Sequence, residues 1–561
     1  MILHVKDFIK DEGNCTPAFV EAVTALGDGD TLCLDGGVYH LRPEGAFCKE
    51  YYISNNDCGI KPIAIPLIGK KNVTVDGCGA ELIFHGKMSP IVIDNSENVT
   101  VKGLSIDYNS PFYAQAEIME VGDQGILLKF DGKDFNCRVR NGNFCFYSPE
   151  DEWEWEVESA LSLEFDEQGH PSAYSPPYFP YTGKPKDHGF LRGMYQDMRL
   201  EEREKNLIMM YGHTGEHHTV GNHFIMTFST REYPGIFVTE SKDVFLENIR
   251  LYHTASMGVI AQMTENISLN RIVAEPREGS GRLLSVNADA THFVNCRGKI
   301  SQTNCKYVQM MDDAANVHGI YHLYEGKNAD GSLKLGFGHF QQKGIQTYKV
   351  GDTVEVIDAD DLSVVARGQV LEAELVSPDE ISLLLDCPVP DAGEHFVVEN
   401  ISTAPEVYFG DCESGYNRPR GFLISTLGKA LVERCKFYNM NQGIQLAGEM
   451  VDWYESGAAM DVTVRDCDFN NSAYAGGVAI YCRPRLRCVT KQFNGKVTFL
   501  NNLFTQESAR ICAIDRCAEV IFKGNRFKKD PNMPKHHPHY DDGCSFDMNG
   551  SLDLEKVITE E

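Results

Sequence analysis

Three aspartates stand out by their spacing. Asp289 is followed by the adjacent pair Asp312 and Asp313, which lie 23 and 24 residues further on. If a repeating fold stacked these positions about 5 Å apart, the three carboxylates would repel one another and at least one would keep a proton near neutral pH. A protonated carboxyl beside an ionised one is what cleavage of a glycosidic bond requires. The spacing therefore favours a catalytic set.

The same residues also have a purely structural interpretation. Adjacent aspartates are common in turns, and the chain has other pairs, Asp360-Asp361 and Asp541-Asp542. Neighbouring side chains of a strand point to opposite faces. Asp312 and Asp313 can therefore share one groove only if the strand bends or ends there, which the following Ala314-Ala315-Asn316 permits.

A repeat along the chain shows which elements must position these aspartates. An apolar–any–apolar motif followed by a small or amide residue recurs with steps of 23–26 residues, or 32 and 35 where loops are longer. This alternation predicts short strands, and the period is typical of one coil of a parallel β-helix. Regularly spaced Leu and Asn, which a leucine-rich repeat needs, are missing. The copies begin at 73, 99, 244, 267, 291 (a weaker copy), 430, 462, 497 and 520.

Two gaps in the repeat, 99 to 244 and 291 to 430, are too long for one coil. Both contain alternating segments with Gly and Asp in the turns, which predicts small antiparallel domains. We expect an all-β, right-handed parallel β-helix with two inserted domains and a helical cap over Pro17 to Ala25. The predicted parts are 1–108 (cap and first coils), 109–231 (first insertion), 232–319 (central coils with the active site), 320–410 (second insertion) and 411–561 (last coils, and a tail after about Lys529).

Composition limits the classes of partner. The 561-residue chain carries 52 Lys and Arg against 81 Asp and Glu, a formal net charge of −29. Nucleic-acid binders gain affinity from Lys and Arg on phosphates, so neither nucleic acid nor an anionic membrane surface is expected as a partner. No stretch of about 18 apolar residues predicts membrane insertion.

Cysteine usage and the start of the chain bear on location. None of the 18 cysteines forms a Cys-x-x-Cys pair, and several occupy one position of the repeat, where a small buried side chain fits. We expect reduced, structural cysteines. No signal-like segment follows Met1, so the expectation is cytoplasmic, or periplasmic or secreted if a signal peptide was trimmed. A histidine-rich stretch at 211–223 lacks the His-Glu-x-x-His form, so we expect a polar loop there without a metal.

The residues around the aspartates resemble a known family. Asn287-Ala288-Asp289, Asp312-Asp313 and His318-Gly319 resemble the polygalacturonase-type β-helix hydrolases. The segment 283–319, the two insertions and 107–111 are more closely similar to glycoside hydrolase family 110, over nearly the whole chain. That family comprises exo-acting α-1,3-galactosidases that remove terminal galactose from blood-group-B-type glycans. The resemblance implies an oligosaccharide or glycoconjugate with terminal α-galactose, of the blood-group-B or linear Galα1,3Gal type, as the substrate.

The resemblance also implies a mechanism of single displacement with inversion. Asp312 would protonate the leaving oxygen, while Asp289 and Asp313 would orient and deprotonate water on the opposite face. An inverting pair needs roughly 6.5–9.5 Å between its carboxyls. No metal or organic cofactor is implied. A homodimer is compatible with the sequence.

Further polar and aromatic residues near the aspartates are candidates for sugar binding, although each also has a structural interpretation. Arg277 and Glu278 lie in a coil turn, and Trp453 lies on a long loop, where it could serve as a platform. The predicted substrate-binding residues are Asn287, His292, Asn316, His318, Gln262, Arg277 and Trp453.

Two other functions remain open from the sequence. A polysaccharide lyase on the same scaffold would need Ca²⁺ or a Lys or Arg base, and no convergent basic pair is evident near Asp289 and Asp312. A non-catalytic glycan-binding β-helix would keep its glycan affinity after Asp312→Asn and would hydrolyse nothing.

Overall fold

The structure is a computed structural model. It describes residues 1–148, 153–157, 162–172, 199–212, 218–228, 231–470, 472, 478–505, 510–528, 545–549, 552–554 and 558–560. The centre of the histidine-rich stretch, 213–217, and most of the tail expected after Lys529 lie outside these residues. In the described part of the chain, no helix is long and apolar enough to cross a membrane.

The main body is a parallel β-helix, as the repeat predicted. Its first sheet stacks the repeat motifs in parallel register, so that Val99 pairs with Val244 and Val244 with Ile267. The next partner of Ile267 is Ile300. The weaker copy at 291 was therefore wrongly assigned, because Thr291 pairs in the second sheet with Val259.

The first sheet is built from many strands, most of which are short. Its strands are Ile2–His4, Thr31–Cys33, Val38–Leu41, Thr74–Phe84, Glu97–Tyr108, Lys242–Leu251, Glu265–Ala274, Arg297–Thr303, Lys306–Val308, Glu406–Gly410, Glu413–Gly415, Lys429–Glu433, Lys436–Tyr438, Asp461–Arg465, Asp468–Asn470, Asn494–Leu500, Leu503–Thr505, Cys517–Lys523, Arg526–Lys528, Leu552–Leu554 and Ile558–Glu560.

The second sheet faces the first across the core and carries the predicted site. Its parallel strands are Cys58–Ile68, Ser89–Asp94, Ile236–Thr239, Val259–Gln262, Thr291–Val294, Ala315–Lys327, Phe422–Ile424, Ile444–Gln445, Ile480–Cys482, Arg510–Asp515 and Ser545–Asn549. Two more strands pair with it antiparallel, Phe47–Tyr52 with Cys58–Ile68 and Glu455–Ser456 with Ala315–Lys327.

Both insertions are antiparallel β domains. The strands of the first are Tyr113–Gly122, Gly125–Phe130, Asn136–Arg140, Asn143–Ser148, Trp153–Val157, Ser162–Phe165, Arg199–Glu204, Leu207–Tyr211 and His223–Thr227. Those of the second are Leu333–Phe337, Thr353–Asp358, Ser363–Ser377, Glu380–Leu385 and Phe396–Asn400, with a short 3₁₀ helix, Phe340–Gln342. Each has its own apolar core.

One strand connects the β-helix to the second insertion. The first residues of Ala315–Lys327 pair in parallel with Thr291–Val294 and Phe422–Ile424, as part of the coils. Its later residues pair antiparallel with Leu333–Phe337 and Phe396–Asn400. The second insertion is therefore fixed rigidly beside the strand that follows Asp312 and Asp313.

The α-helix Thr16–Ala25 covers the first coils, and a short 3₁₀ helix, Val5–Asp7, lies before it. Phe19, Ala22 and Val23 on one face of the α-helix are buried in the main core. The helix predicted over Pro17 to Ala25 is thus present, and it shields the apolar interior of the first coil from water.

The interior of the β-helix consists of ladders of like residues. Phe437, Phe469 and Phe504 occupy one position on successive coils, with ring centroids 4.8 and 4.7 Å apart. Cys435 and Cys467 form a similar buried ladder beside them. The buried cysteines agree with the prediction from the repeat, and the phenylalanine ladder has the same cause: one repeat places the same side chain at the same depth, about one strand spacing further along.

Candidate active site

The three aspartates lie in two stacked turns of the second sheet. Asp289 comes two residues before strand Thr291–Val294, and Asp313 two residues before Ala315–Lys327. These strands are paired neighbours, and the N–H of the residue after Asp289 donates to the Asp313 carbonyl at 2.8 Å. Asp312 and Asp313 precede the regular strand, so strand alternation does not force them to opposite faces. The structure therefore brings the three predicted carboxylates together.

The carboxylates form a buried cluster. One oxygen from each of Asp289, Asp312 and Asp313 lies within 4.8 Å of the others. Asp289 and Asp313 are 2% and 1% exposed, whereas Asp312, at 8%, is the most accessible. This separation is shorter than the roughly 6.5–9.5 Å expected for an inverting pair. The spacing in the unliganded protein therefore does not by itself support inversion.

Two arginines neutralise part of the cluster. Arg231 Nη2 donates to Asp312 Oδ2, and Arg420 Nε donates to Asp313 Oδ1 at 2.7 Å. Asp313 Oδ2 is buried and has no hydrogen-bond partner among the described residues. A buried polar oxygen without a partner is costly, so a ligand hydroxyl or a water bound there would be stabilised.

The environments of the three carboxyls differ. Burial, with Asp312 close by, raises the pKa of Asp289 to about 8. Burial also raises the pKa of Asp313 well above its ordinary value. Burial alone would raise the pKa of Asp312 too, but Arg231 and two further arginines hold that pKa below its ordinary value. These shifts favour protonated Asp289 and Asp313 and ionised Asp312 at neutral pH.

A histidine relay gives the same location for the proton. His318 Nδ1 lies 2.6 Å from the Gly319 carbonyl, and its Nε2 lies 2.9 Å from His292 Nε2. Burial lowers the pKa of both rings, that of His292 to about 4, so both are neutral. A neutral His318 that donates from Nδ1 must accept at Nε2, so His292 donates from its own Nε2. His292 Nδ1 is then an acceptor, and its partner Asp289 Oδ2 must carry the proton.

An additional carboxylate borders the relay without accepting a hydrogen bond from it. Glu455 Oε1 lies 3.4 Å from His318 Nε2 and accepts a hydrogen bond from Asn55 Nδ2 at 2.7 Å. Glu455 is on the strand antiparallel to Ala315–Lys327, and Asn55 is at the turn of the hairpin formed by Phe47–Tyr52 and Cys58–Ile68. Two segments distant in sequence thus close the site from the sides.

Trp453 borders the site near Arg231. The guanidinium of Arg231 lies 5.9 Å from the Trp453 ring, and the ring of His339 packs against the indole with centroids 4.2 Å apart. Gln342 Nε2 donates to the Trp453 carbonyl at 2.6 Å. His339 and Gln342 belong to the second insertion, so this domain positions the predicted aromatic platform.

The remaining predicted residues have other partners. Gln262 accepts from the N–H of Ser54 and donates to the Tyr52 carbonyl, both at 3.0 Å, so its amide holds the hairpin. Asn287 Nδ2 donates to the Phe112 carbonyl at 2.8 Å. Arg277 pairs with Asp107 and Glu81 at 2.8 and 2.9 Å, which joins neighbouring coils.

Two amide oxygens remain available near the aspartates. Asn287 Oδ1 and Asn316 Oδ1 are buried and have no hydrogen-bond partner among the described residues. Asn316 pairs with His292 across the second sheet. Sugar binding by these two residues and by Gln262 and Arg277 remains a prediction.

The structure adds four residues that the sequence did not indicate: Arg231, Arg420, Glu455 and Asn55. Arg420 precedes strand Phe422–Ile424, the partner of Ala315–Lys327, so it occupies the next coil after Asp313. The second insertion lies between Asp313 and Arg420 in the sequence, so the two residues are not separated by the usual length of one coil. Arg231 similarly follows the first insertion, and only repeat alignment across an insertion of unknown length could have found either arginine.

By donor type, two sets of side chains could hold a metal. The three aspartates form one set, and His292, His318 and Glu455 form the other, each with donor atoms within 4.8 Å. Arg231 and Arg420, however, already contact the aspartates, and their charges would oppose a dication. The arrangement is better suited to general acid–base catalysis, because carboxyl groups in two protonation states lie side by side.

Comparisons with known proteins point to one family. The models for GLAA-B β-barrel domains I and II match residues 114–224 and 332–395, which are the two insertions. An α-1,3-galactosidase A from Shewanella woodyi is 31% identical over 90% of this chain and 82% of its own length. An α-1,3-galactosidase B from Phocaeicola vulgatus is 31% identical over 92% of this chain and 87% of its own. The chain therefore belongs to glycoside hydrolase family 110.

Proposed function

We propose that this protein is an exo-acting α-1,3-galactosidase that cleaves terminal galactose from blood-group-B-type or linear Galα1,3Gal glycans. The observation that carries this proposal is the cluster of Asp289, Asp312 and Asp313, in which protonated and ionised carboxyls lie side by side. The full-length relatives named as α-1,3-galactosidases support the substrate class.

In this proposal Asp312 is the general acid. It is the most exposed of the three carboxyls, and so the one that the leaving sugar would meet from solvent. Asp289 and Asp313 lie deeper and would hold and deprotonate the attacking water. Asp313 Oδ2 has no partner among the described residues, so a water bound there would gain a hydrogen bond.

The acid role requires one proton to move. In the unliganded protein Arg231 favours ionised Asp312, while the proton lies on the Asp289 side. When a glycan displaces Arg231 from Asp312, the pKa of Asp312 rises, because the carboxylate loses its contacting cation while the burial remains, and a proton would move to it from the Asp289 side. The catalytic form then differs from the resting form in the position of one proton and not in net charge.

Inversion is part of the proposal and rests on the family resemblance. It requires galactose and water to separate Asp312 from the other two aspartates by roughly 6.5–9.5 Å, compared with oxygens within 4.8 Å of one another without ligand. Release of Arg231 would free the Asp312 side chain to make that adjustment. Proton NMR of early product should show β-galactose, and α-galactose would refute inversion.

The acid role is tested by comparing leaving groups. Asp312→Asn should lower kcat/KM for a Galα1,3Gal disaccharide by about 10²–10⁴-fold, the usual contribution of general acid catalysis. An aryl α-galactoside with an acidic phenol needs little protonation, so its loss should be at least tenfold smaller.

Asp360→Asn is the matched control, since it alters an exposed member of another Asp-Asp pair. Equal losses for both substrates, or a loss below about tenfold for the disaccharide, would contradict the acid role. Parallel assays of the fucosylated trisaccharide would show whether branched or linear acceptors are preferred.

A further inference from the structure

A cluster of sulfur, nitrogen and oxygen donors lies on the outer face of the first coils, away from the aspartates. In the first sheet His4 pairs with Cys33, and Cys33 pairs with Asp76, so three coils present outward side chains in one row. Asp35 and Cys78 follow two residues further on. The segments Cys33-Leu34-Asp35 and Asp76-Gly77-Cys78 thus carry a thiol and a carboxylate in opposite order on adjacent coils.

The donor atoms converge. His4 Nδ1, Cys33 Sγ and an Asp35 oxygen all lie within 4.8 Å of one another. His4 Nδ1 is 2.6 Å from Asp35 Oδ1, and Cys33 Sγ is 3.7 Å from the same oxygen. Cys78 Sγ lies 3.2 Å from Cys33 Sγ but outside this group of three, so the exposed Cys78 side chain would have to turn to join it.

The second oxygen of the Asp35 carboxylate, the one that His4 and Cys33 do not contact, is unsatisfied. Asp35 Oδ2 is buried and has no hydrogen-bond partner among the described residues. The Asp35 backbone is in the left-handed region, with φ 59°, as is that of Cys78, with φ 52°. Backbone strain of this kind and a buried unpaired oxygen both cost stability, so a ligand that uses the oxygen would offset part of the cost.

We propose that His4, Cys33, Asp35 and Cys78 form a structural zinc site. Two thiolates, one imidazole and one carboxylate are a four-ligand set that suits tetrahedral Zn²⁺ and not Ca²⁺ or Mg²⁺, which prefer oxygen alone. A tetrahedral site with usual Zn–N and Zn–S bonds has donor–donor separations of about 3.3–3.8 Å. The 3.7 Å between Cys33 Sγ and Asp35 Oδ1 lies in that range, while the 3.2 Å between the two sulfurs and the 2.6 Å between His4 Nδ1 and Asp35 Oδ1 are shorter. Zinc would have to move these donors apart, and the His4 side chain, which is 41% exposed, has room to adjust.

The surrounding charge suits a dication. Two thiolates and one carboxylate carry three negative charges, which zinc would reduce to one. Lys6 Nζ lies 3.4 Å from Asp35 Oδ1 and would offset the remainder. Its side chain is 61% exposed and can move away from a dication, whereas Arg231 and Arg420 at the aspartates are 21% and 26% exposed. Lys102 pairs with Asp76 at 3.0 Å, which keeps that neighbouring carboxylate from adding to the repulsion.

The site would fasten the N-terminal strand to the body. Ile2–His4 is a three-residue strand at the end of the first sheet and pairs with Thr31–Cys33. Ligands from three successive coils would link this short strand to the next two. The ligands are far from the aspartates in the fold, so zinc is not expected to take part in hydrolysis.

The proposal is tested on the full chain carrying any tag at its C-terminus, so that His4 stays unmodified. The reduced protein, stripped with chelator and then given ZnCl₂, should bind about one zinc ion per chain. Co²⁺ in its place should give a thiolate-to-cobalt charge-transfer band. Deuterium exchange of Ile2–His4 and Thr31–Cys33 should slow when zinc is added.

Cys33→Ser and His4→Ala should each weaken zinc binding by at least about tenfold, because a direct ligand is lost. Cys58→Ser, at an exposed cysteine of another strand, is the matched control and should bind zinc like the parent. The proposal is overturned if the parent binds no zinc at micromolar concentration, or if both ligand variants bind as well as the control. It is also overturned if Cys33 and Cys78 are joined in a disulfide in protein isolated without reductant.

Discussion

Arg231 controls the ionisation of the aspartate cluster, and replacing it should move the alkaline limb of the pH profile. The guanidinium contacts Asp312 and stabilises its carboxylate form. In Arg231→Gln that stabilisation is lost, so the carboxyl cluster releases its last proton at higher pH. Because the proposed mechanism requires a protonated acid, the alkaline limb of the pH profile of kcat/KM should shift upward.

The size of the shift follows from the contact. Two unit charges about 4 Å apart at an effective dielectric constant of about 20 interact by about 4 kcal/mol, equivalent to about 3 pKa units. The Arg231 side chain is 21% exposed, and water would replace part of its charge in the variant. We therefore expect a shift of about 1–2 pH units.

The assay is release of galactose from a Galα1,3Gal disaccharide, followed by chromatography across the pH range. The measured quantity is the pH at which kcat/KM falls on the alkaline side. The maximum value of kcat/KM is not used, since it also reflects any contact of Arg231 with the substrate. Arg231→Lys keeps the charge and should leave the limb within about half a unit. Arg418→Gln removes a more distant cation and should give a smaller upward shift. A folded Arg231→Gln protein whose limb is unchanged or moves to lower pH would refute this reasoning.

Two further predictions concern stability. The pKa of Asp289 is about 8 in the folded protein and about 4 when unfolded, so its contribution to stability is complete below about pH 4 and is lost as the pH rises to 8. As the pH rises from 5 to 9, the Tm of Asp289→Asn should therefore increase relative to the Tm of the parent. A Tm difference between the two proteins that does not vary with pH would contradict this. Phe469→Ala removes the middle ring of a buried ladder and should lower the free energy of unfolding of the last coils by about 3–5 kcal/mol in urea titrations. A loss below about 1 kcal/mol would mean that the ladder does not stabilise these coils.

The sequence predicted those parts of the site that lie within uninterrupted coils. In a parallel sheet the hydrogen-bond register fixes how many residues separate stacked positions, so an offset of 24 places Asp289 beside Asp313. The same rule predicted the coils at 430, 462, 497 and 520. It failed at 291, where Phe293 and Cys296 fall at the spacing of the repeat, although strand Thr291–Val294 belongs to the second sheet and is buried along its whole length.

Other features depended on the tertiary structure. Arg231, Arg420 and Glu455 reach the aspartates from segments separated by insertions or long loops, and sequence spacing carries no information across a segment that leaves the coil. The sequence predicted that one carboxyl would hold a proton, but which one is decided by burial and by the two arginines. Register within consecutive coils is set by local hydrogen bonds, whereas the protonation of a buried group depends on every charge that folding brings near it.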